Sequence, residues 1–256
     1  MPGPRTIDLN SDLGEGYGVW RLADDSALLG MITSANVACG FHAGDPTTMR
    51  KAVTAAAANG VAVGAHVSFP DRRGFGRRDM AIPPREVTDD VVYQVGALDA
   101  VARAHGTRVT FVKPHGALYN RMAVDRTLAD AVVEALASLG GSLPLVTLPG
   151  SEAAIAARAA GVTAIAEAFA DRAYDREGRL VSRDRPGAVI SDPEEVTARA
   201  VRMATEHAVE TIDGEVIKLE AQTLCVHGDS PGSVALATAI RAGLESAGFA
   251  LAPFAG

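Results

Sequence analysis

The 256-residue chain contains only two cysteines, Cys39 and Cys225, far apart and in no C-x-x-C arrangement. A disulfide framework is therefore excluded, and a soluble, reducing, cytoplasmic setting is the expectation. The first ten residues, MPGPRTIDLN, lack the basic-then-apolar pattern of a signal peptide, and no apolar run approaches membrane-spanning length. Positive charge is also short: 24 Lys and Arg face 31 Asp and Glu, for a net charge of −7. That balance argues against nucleic acid as a main partner and leaves small phosphate-bearing ligands open. No G-K-[ST] occurs, so this is no ordinary P-loop ATPase, and no H-E-x-x-H supplies a local metal motif. There is no Pro/Gly/Ser linker and no shift in composition, which predicts one domain over residues 1–256.

What is present is an alternation of short apolar runs with longer stretches rich in Ala, Arg, Glu and Leu. The predicted strands are 6–12, 34–39, 61–66, 109–113, 144–148, 163–168 and 223–228, with a short final one at 249–254. Asp45-Pro46, Asp192-Pro193 and Ser230-Pro231 each place a capping residue before proline at a helix start. Asp192 with Glu195 also resembles a capping box. Gly60, Gly106 and Gly248 stand where helices end. Parallel neighbours need crossover helices, so the pattern predicts an α/β parallel sheet. Seven or eight units in this length suit a closed (β/α) barrel, with a doubly wound open sheet as the alternative. Two long segments after strands, 67–84 and 169–188, are rich in arginine and are expected to be binding loops or lids.

Strands of a parallel barrel should be continuously apolar. Several here instead end in polar residues at period two: Asp8, Asn10 and Asp12; Lys113 and His115; Glu167 and Asp171; His227 and Asp229. Residues i and i+2 of a strand share a face, so each set projects together toward the C-terminal mouth of the barrel. His66 closes the third strand and His42 follows the second. Leaving such groups buried and unpartnered would cost roughly 1–3 kcal/mol each, so four strand-end histidines point to a site. His105 and His207, late in helical runs, suit helix C-termini instead. The cluster admits metal-free acid–base chemistry, or a divalent metal held by Asp12, His42, His66 and His115.

Two motif lookalikes carry less. Gly228-Asp229-Ser230-Pro231-Gly232 fits G-x-S-x-G, but no histidine follows Ser230 as a hydrolase triad requires, and Ser230 before Pro231 suits a helix cap. The loop from Gly14 to Gly18, GEGYG, is a turn whose backbone amides could approach a phosphate or carboxylate. Cys39 and Cys225, within apolar strands, are expected to be buried and inert.

Six segments in order, IDLNSDLGEGYG (7–18), SANVACGFHAGDP (34–46), GAHVSFPDRRGFGRR (64–78), VKPHGALYN (112–120), EAFADRAYDREGRL (167–180) and CVHGDSPG (225–232), resemble the LamB/YcsF family, the A subunits of bacterial ATP-dependent 5-oxoprolinase. VSFPD in place of the more usual PSYPD is a minor departure. The resemblance implies a barrel related to glycoside hydrolases and metal-dependent deacetylases. It implies hydrolysis of the 5-oxo-L-proline lactam to L-glutamate, with ATP (as its Mg complex) cleaved to ADP and phosphate, and two partner subunits, B and C. Fitted to that demand, Asp12, His42, His66, His115, His227 and Glu167 are the candidate catalytic groups. Asn10, Lys113, Arg72, Arg77, Arg78, Asp171, Arg172 and Asp229 are candidates for holding substrate or phosphate. The competing readings are a stand-alone metal-dependent deacetylase or amidohydrolase, and a non-catalytic substrate-binding subunit.

Overall fold

The computed structural model describes residues 5–229 and 232–255. Seven parallel strands close into a barrel: β1 (Arg5–Leu13), β2 (Ser34–Ala38), β3 (Ala62–Val67), β4 (Val109–Pro114), β5 (Leu145–Thr147), β6 (Ala164–Phe169) and β9 (Thr223–Val226), which pairs back onto β1. A short β10 (Phe249–Leu251) adds alongside the first residues of β1. The closed barrel is the expected fold, and the open-sheet alternative falls with the β1–β9 pairing. Among the described residues no helix is long and apolar enough to cross a membrane.

Most crossovers are amphipathic helices whose buried stripes cover the strands: α2 (Pro46–Ala58), α3 (Pro84–Ala104), α5 (Arg126–Ser138), α6 (Glu152–Ala159), α7 (Pro193–Glu206) and α8 (Ser233–Ser246). The short α1 (Asp25–Leu29) and α4 (Gly116–Met122) are further helices. Asp45 caps α2 by accepting from the amides of Thr47 and Thr48 at 2.8 and 3.2 Å, with Pro46 first in the helix. Asp192 caps α7 through the amide of Glu195 at 2.9 Å. Ser230 and Pro231, the third capping pair, lie outside the described residues; α8 begins at Ser233 with Gly232 as its N-cap. His105 and His207 occupy the C-caps of α3 and α7. A hairpin of β7 (Ala208–Glu210) and β8 (Val216–Lys218), not expected from the sequence pattern, hangs between α7 and β9.

The barrel interior changes character along its length. At the N-terminal end, Phe111, Val146 and Ile165 form an apolar plug with Phe254 packed against it, the two phenyl rings 4.9 Å apart. Farther along the same faces come Asp8, Asn10, Asn36, Lys113 and Glu167, all buried. Gly64 makes room for the plug: a Cβ there would sit 2.0 Å from the Phe111 ring. Gly64→Ala is expected to cost at least about 1–3 kcal/mol, the range for overpacked cores. A urea midpoint lowered at unchanged slope would show it.

Candidate functional site

The C-terminal mouth opens into a cavity of about 520 Å³. Asp12, His66, Lys113, His115, Tyr119, Phe169 and His227 line its protein side, and Arg77, Arg172 and Arg183 face it from the long loops. The two arginine-rich segments therefore do meet at the mouth. Of the candidate arginines, Arg77 pairs with Asp229 across the rim. Arg172 is largely buried, donating to the carbonyls of Ala188 and Val181 and so tying the 169–188 loop together. Arg78 is bound to Asp71 within its own loop, and Arg72 reaches the Gly40 carbonyl and lies over the Tyr17 ring. Neither of these two lines the cavity.

Lys113 is the hub of the floor. Its ammonium, with three N–H groups, is ringed by four acceptors: Glu167 Oε1 at 2.8 Å, Asn10 Oδ1 at 3.1 Å, Asp12 Oδ1 at 3.2 Å and Cys225 Sγ at 3.1 Å. Burial works against the charge, but Asp12, Cys225 and Glu167 outweigh it and hold the Lys113 pKa well above the ordinary lysine value. Burial likewise opposes the Asp12 charge, while His66 and Lys113 pull its carboxyl well below the usual range. Asn10 spans Glu167 and Thr223 through its amide, and Asn36 donates to both Asn10 and Asp12. Among the described residues neither Glu167 Oε2 nor the Tyr119 hydroxyl has a partner at full hydrogen-bond geometry, although the two groups are neighbours and interact with each other. Burial, then the neighbouring Glu167, pushes the Tyr119 phenol well up, so its hydroxyl keeps its proton.

Below this layer Asp8 accepts from Thr33, Ser34 and Thr223. Burial still pushes its carboxyl up to about 6. A raised carboxyl binds its proton more tightly in the folded state, so its contribution is fullest below about pH 4 and falls as pH rises to about 6. An Asp8→Asn variant, which cannot ionise, should gain on the wild type over that interval by up to about 3 kcal/mol, at 1.36 kcal/mol per pH unit of separation. Denaturant titrations of both proteins at pH 4.5 and 7 test the sign.

The four strand-end histidines divide into two groups on opposite arcs of the barrel. On one arc, His227 Nδ1 lies 2.6 Å from Asp171 Oδ2. The carboxylate fixes Nδ1–H and turns a basic Nε2 away from it, while the ring stacks on Phe169. Burial opposes the Asp171 charge, but the His227 interaction carries its pKa below the usual value. On the other arc, His42 and His115 stack with centroids 3.9 Å apart, and His66 meets His115 edge-on. Gly76 lets the 67–84 segment close over them: its φ is +63°, and a Cβ would come within 2.8 Å of the His115 ring and of the His42 Cβ.

Glu15, which no sequence pattern singled out, belongs to this second group. Its Oε1 lies 3.0 Å from His42 Nε2 and 3.6 Å from His115 Nδ1. Burial, then the charges of Asp12 and Asp229, pushes its carboxyl well above the usual range. The donor atoms of Glu15, His42, His66 and His115 all lie within 4.8 Å of one another, so this set, with Glu15 rather than Asp12, has the spacing to hold a cation. Asp12 groups instead with Cys225 and His227. In the GEGYG loop three of the five backbone amides are engaged. The amides of Gly14, Tyr17 and Gly18 already donate to Asp25, the Trp20 carbonyl and Asp45. Cys39 is buried, with its thiol pushed up to about 12 by burial.

Fold and site together define a (β/α) barrel with a cavity at its strand ends lined by acid–base side chains. The chain belongs to the LamB/YcsF family, which it matches over residues 7–256. It is 54% identical to a 5-oxoprolinase A subunit of Pseudomonas syringae pv. tomato, over 98% of both chains. It is 47% identical to the lactam utilization protein of Thermus thermophilus, whose crystal structure it matches with a TM-score of 0.92 over 97% of this chain and 100% of that one. The family 4 carbohydrate esterase of Streptomyces lividans, at 12% identity and a TM-score of 0.50 over 96% and 91%, shares the barrel architecture alone.

Proposed function

We propose that this chain is the A subunit of an ATP-dependent 5-oxoprolinase, working in the cytoplasm with subunits B and C. The supporting observation is the near-full-length identity to a relative bearing that name. The chemistry of the mouth suits the task. A five-membered lactam is stabilised by amide resonance and re-closes readily, so opening it is coupled to ATP, supplied as its Mg complex. Transfer of the γ-phosphoryl group to the lactam oxygen makes an imidate-like carbon that water attacks; the ring C–N bond then breaks. This first water leaves the phosphoryl group on the new carboxyl, and a second water releases it as phosphate.

In this reading His227, held by Asp171, takes the proton of the attacking water through Nε2. Lys113 faces the negative charge that develops on the oxygen, held in place by Asp12, Glu167 and Asn10. The Tyr119 hydroxyl in the cavity wall, beside Glu167, is a hydrogen-bonding group for the ring, and Arg77 with Arg183 faces the substrate carboxylate. A second reading, an amidohydrolase acting alone with a metal and no ATP, draws on the imidazole group around Glu15. Glutamate release from 5-oxo-L-proline, with and without ATP and the partner subunits, separates the two. Release only with ATP and partners supports the first; release by this chain alone without ATP overturns it.

A further inference from the structure

The outer nitrogens of His42, His66 and His115 all have their hydrogen-bond roles settled by what they face. His66 Nδ1 lies 2.9 Å from the Lys113 carbonyl, and His115 Nε2 lies 2.8 Å from the Phe75 carbonyl. A carbonyl only accepts, so both nitrogens carry hydrogen. His42 Nδ1 lies 3.1 Å from Ser68 Oγ, whose own hydrogen goes to the Phe69 carbonyl at 2.8 Å. The Ser68 oxygen therefore accepts from His42 as well. Each neutral ring is left with a bare lone pair on its inner nitrogen: His42 Nε2, His66 Nε2 and His115 Nδ1.

These lone pairs converge with the carboxyl oxygens of Glu15 and Asp12, and a cation bound there would displace the proton that burial favours on Glu15. His66 Nε2 and His115 Nδ1 are 3.0 Å apart, so with both rings neutral two acceptors face each other, an arrangement that a bound cation or a second proton on His66 relieves. His66 Nε2 also stands 3.3 Å from Asp12 Oδ1, a further acceptor. His42 Nε2 is 3.0 Å from Glu15 Oε1, and His115 Nδ1 is 3.6 Å from the same oxygen. Tetrahedral coordination with bonds of about 2.0–2.1 Å has ligand–ligand edges of about 3.3 Å; three separations in this set are 3.0, 3.0 and 3.6 Å, and all its donor atoms lie within 4.8 Å of one another. The outer N–H to carbonyl or hydroxyl bonds are also the contacts that fix the tautomer of metal-binding histidines.

The other cluster of metal-type donors, Asp12, Cys225 and His227, already faces a cation. The Lys113 ammonium stands 3.1 Å from Cys225 Sγ and 3.2 Å from Asp12 Oδ1. Among the described residues no lysine or arginine makes a hydrogen bond or ion pair with the three imidazoles; the nearby Arg77 instead lies over the Phe75 ring and pairs with Asp229.

We propose that Glu15, His42, His66 and His115 form a binding site for one divalent cation of the zinc type, selected by three imidazole nitrogens and one carboxylate oxygen. Zinc fits this donor set better than magnesium, which prefers oxygen ligands and keeps its waters. The site is independent of whether the lactam reaction is correctly assigned, because it is tested by binding alone.

The test uses the untagged full-length chain, stripped with chelator and titrated with zinc chloride and, separately, magnesium chloride by calorimetry. One equivalent of zinc should bind, with magnesium at least 100-fold weaker. Glu15→Gln should weaken zinc at least 10-fold, and His115→Ala should abolish the stoichiometric site, each variant showing the far-UV spectrum of the wild type. Should His115→Ala fail to fold, Glu15→Gln decides alone, since it keeps size and shape. The double variant His105→Ala/His207→Ala should bind as the wild type does. Absence of stoichiometric zinc binding overturns the proposal. So does binding unchanged in Glu15→Gln, which would place the ion elsewhere.

Discussion

Replacing Lys113 with methionine is expected to lower the unfolding free energy by about 3–5 kcal/mol, the cost of breaking a buried ion pair from one side. Methionine keeps most of the length and apolar volume, so the loss is electrostatic rather than a cavity effect. Without the ammonium, the buried Asp12 and Glu167 charges lose their shared cation, and Asn10 and Cys225 lose a donor. For a chain of this size the change corresponds to a drop in Tm of roughly 6–20 °C. The double variant Lys113→Met/Glu167→Gln should be less destabilised than the sum of the two single changes, because the second removes the charge the first orphaned. Additive losses in that cycle would mean that Lys113 and Glu167 are not paired as the geometry requires.

The second large effect is on catalysis. Asp171→Asn is expected to lower kcat of the reconstituted complex by about 10²–10⁴-fold while leaving Tm within a few degrees of the wild type. The carboxylate can only accept from His227 Nδ1, which leaves Nε2 basic. An amide presents a donor as readily, and the ring can then carry its hydrogen on Nε2, where it no longer takes a proton from water. KM should change little, since Asp171 stands behind the cavity wall rather than in it. The pH profile of kcat should differ between variant and wild type, because the group that takes the proton from water is altered. A purely structural role for Asp171 would instead lower Tm and leave the profile of the surviving activity unmoved.

Much of the barrel was legible in the sequence because buried parallel strands are short, apolar and bounded by helix caps. The polar interruptions were legible for the same reason: Asp12, Lys113 and Glu167 stand out only against the apolar pattern they break. Glu15 did not stand out, since it sits one residue past the strand phase, between Gly14 and Gly16, where a plain turn is the simpler account. Its signal was the carboxylate itself, carried inward by a loop that follows directly on the polar run of β1. Arg77 and Arg78 are neighbours with opposite fates, one toward the cavity and one to Asp71. Nothing local separates them, because the path of the loop decides. Tyr119 lies in the first turn and a half of α4, whose N-cap is His115, so both side chains reach the cavity from the end of β4. The β7–β8 hairpin was missed because its strands are three residues each, although Asp213-Gly214 between them is a recognised hairpin signal.

In the proposed reaction everything at the barrel mouth turns on His227 as the group that activates water. The most direct measurement is glutamate release from 5-oxo-L-proline, with ATP, by the reconstituted complex carrying His227→Ala, with assembly checked by size-exclusion chromatography. The expected result is a complex of wild-type stoichiometry whose release rate is down at least 100-fold, within the range for loss of a general base. An assembled complex that still releases glutamate at close to the wild-type rate would contradict it.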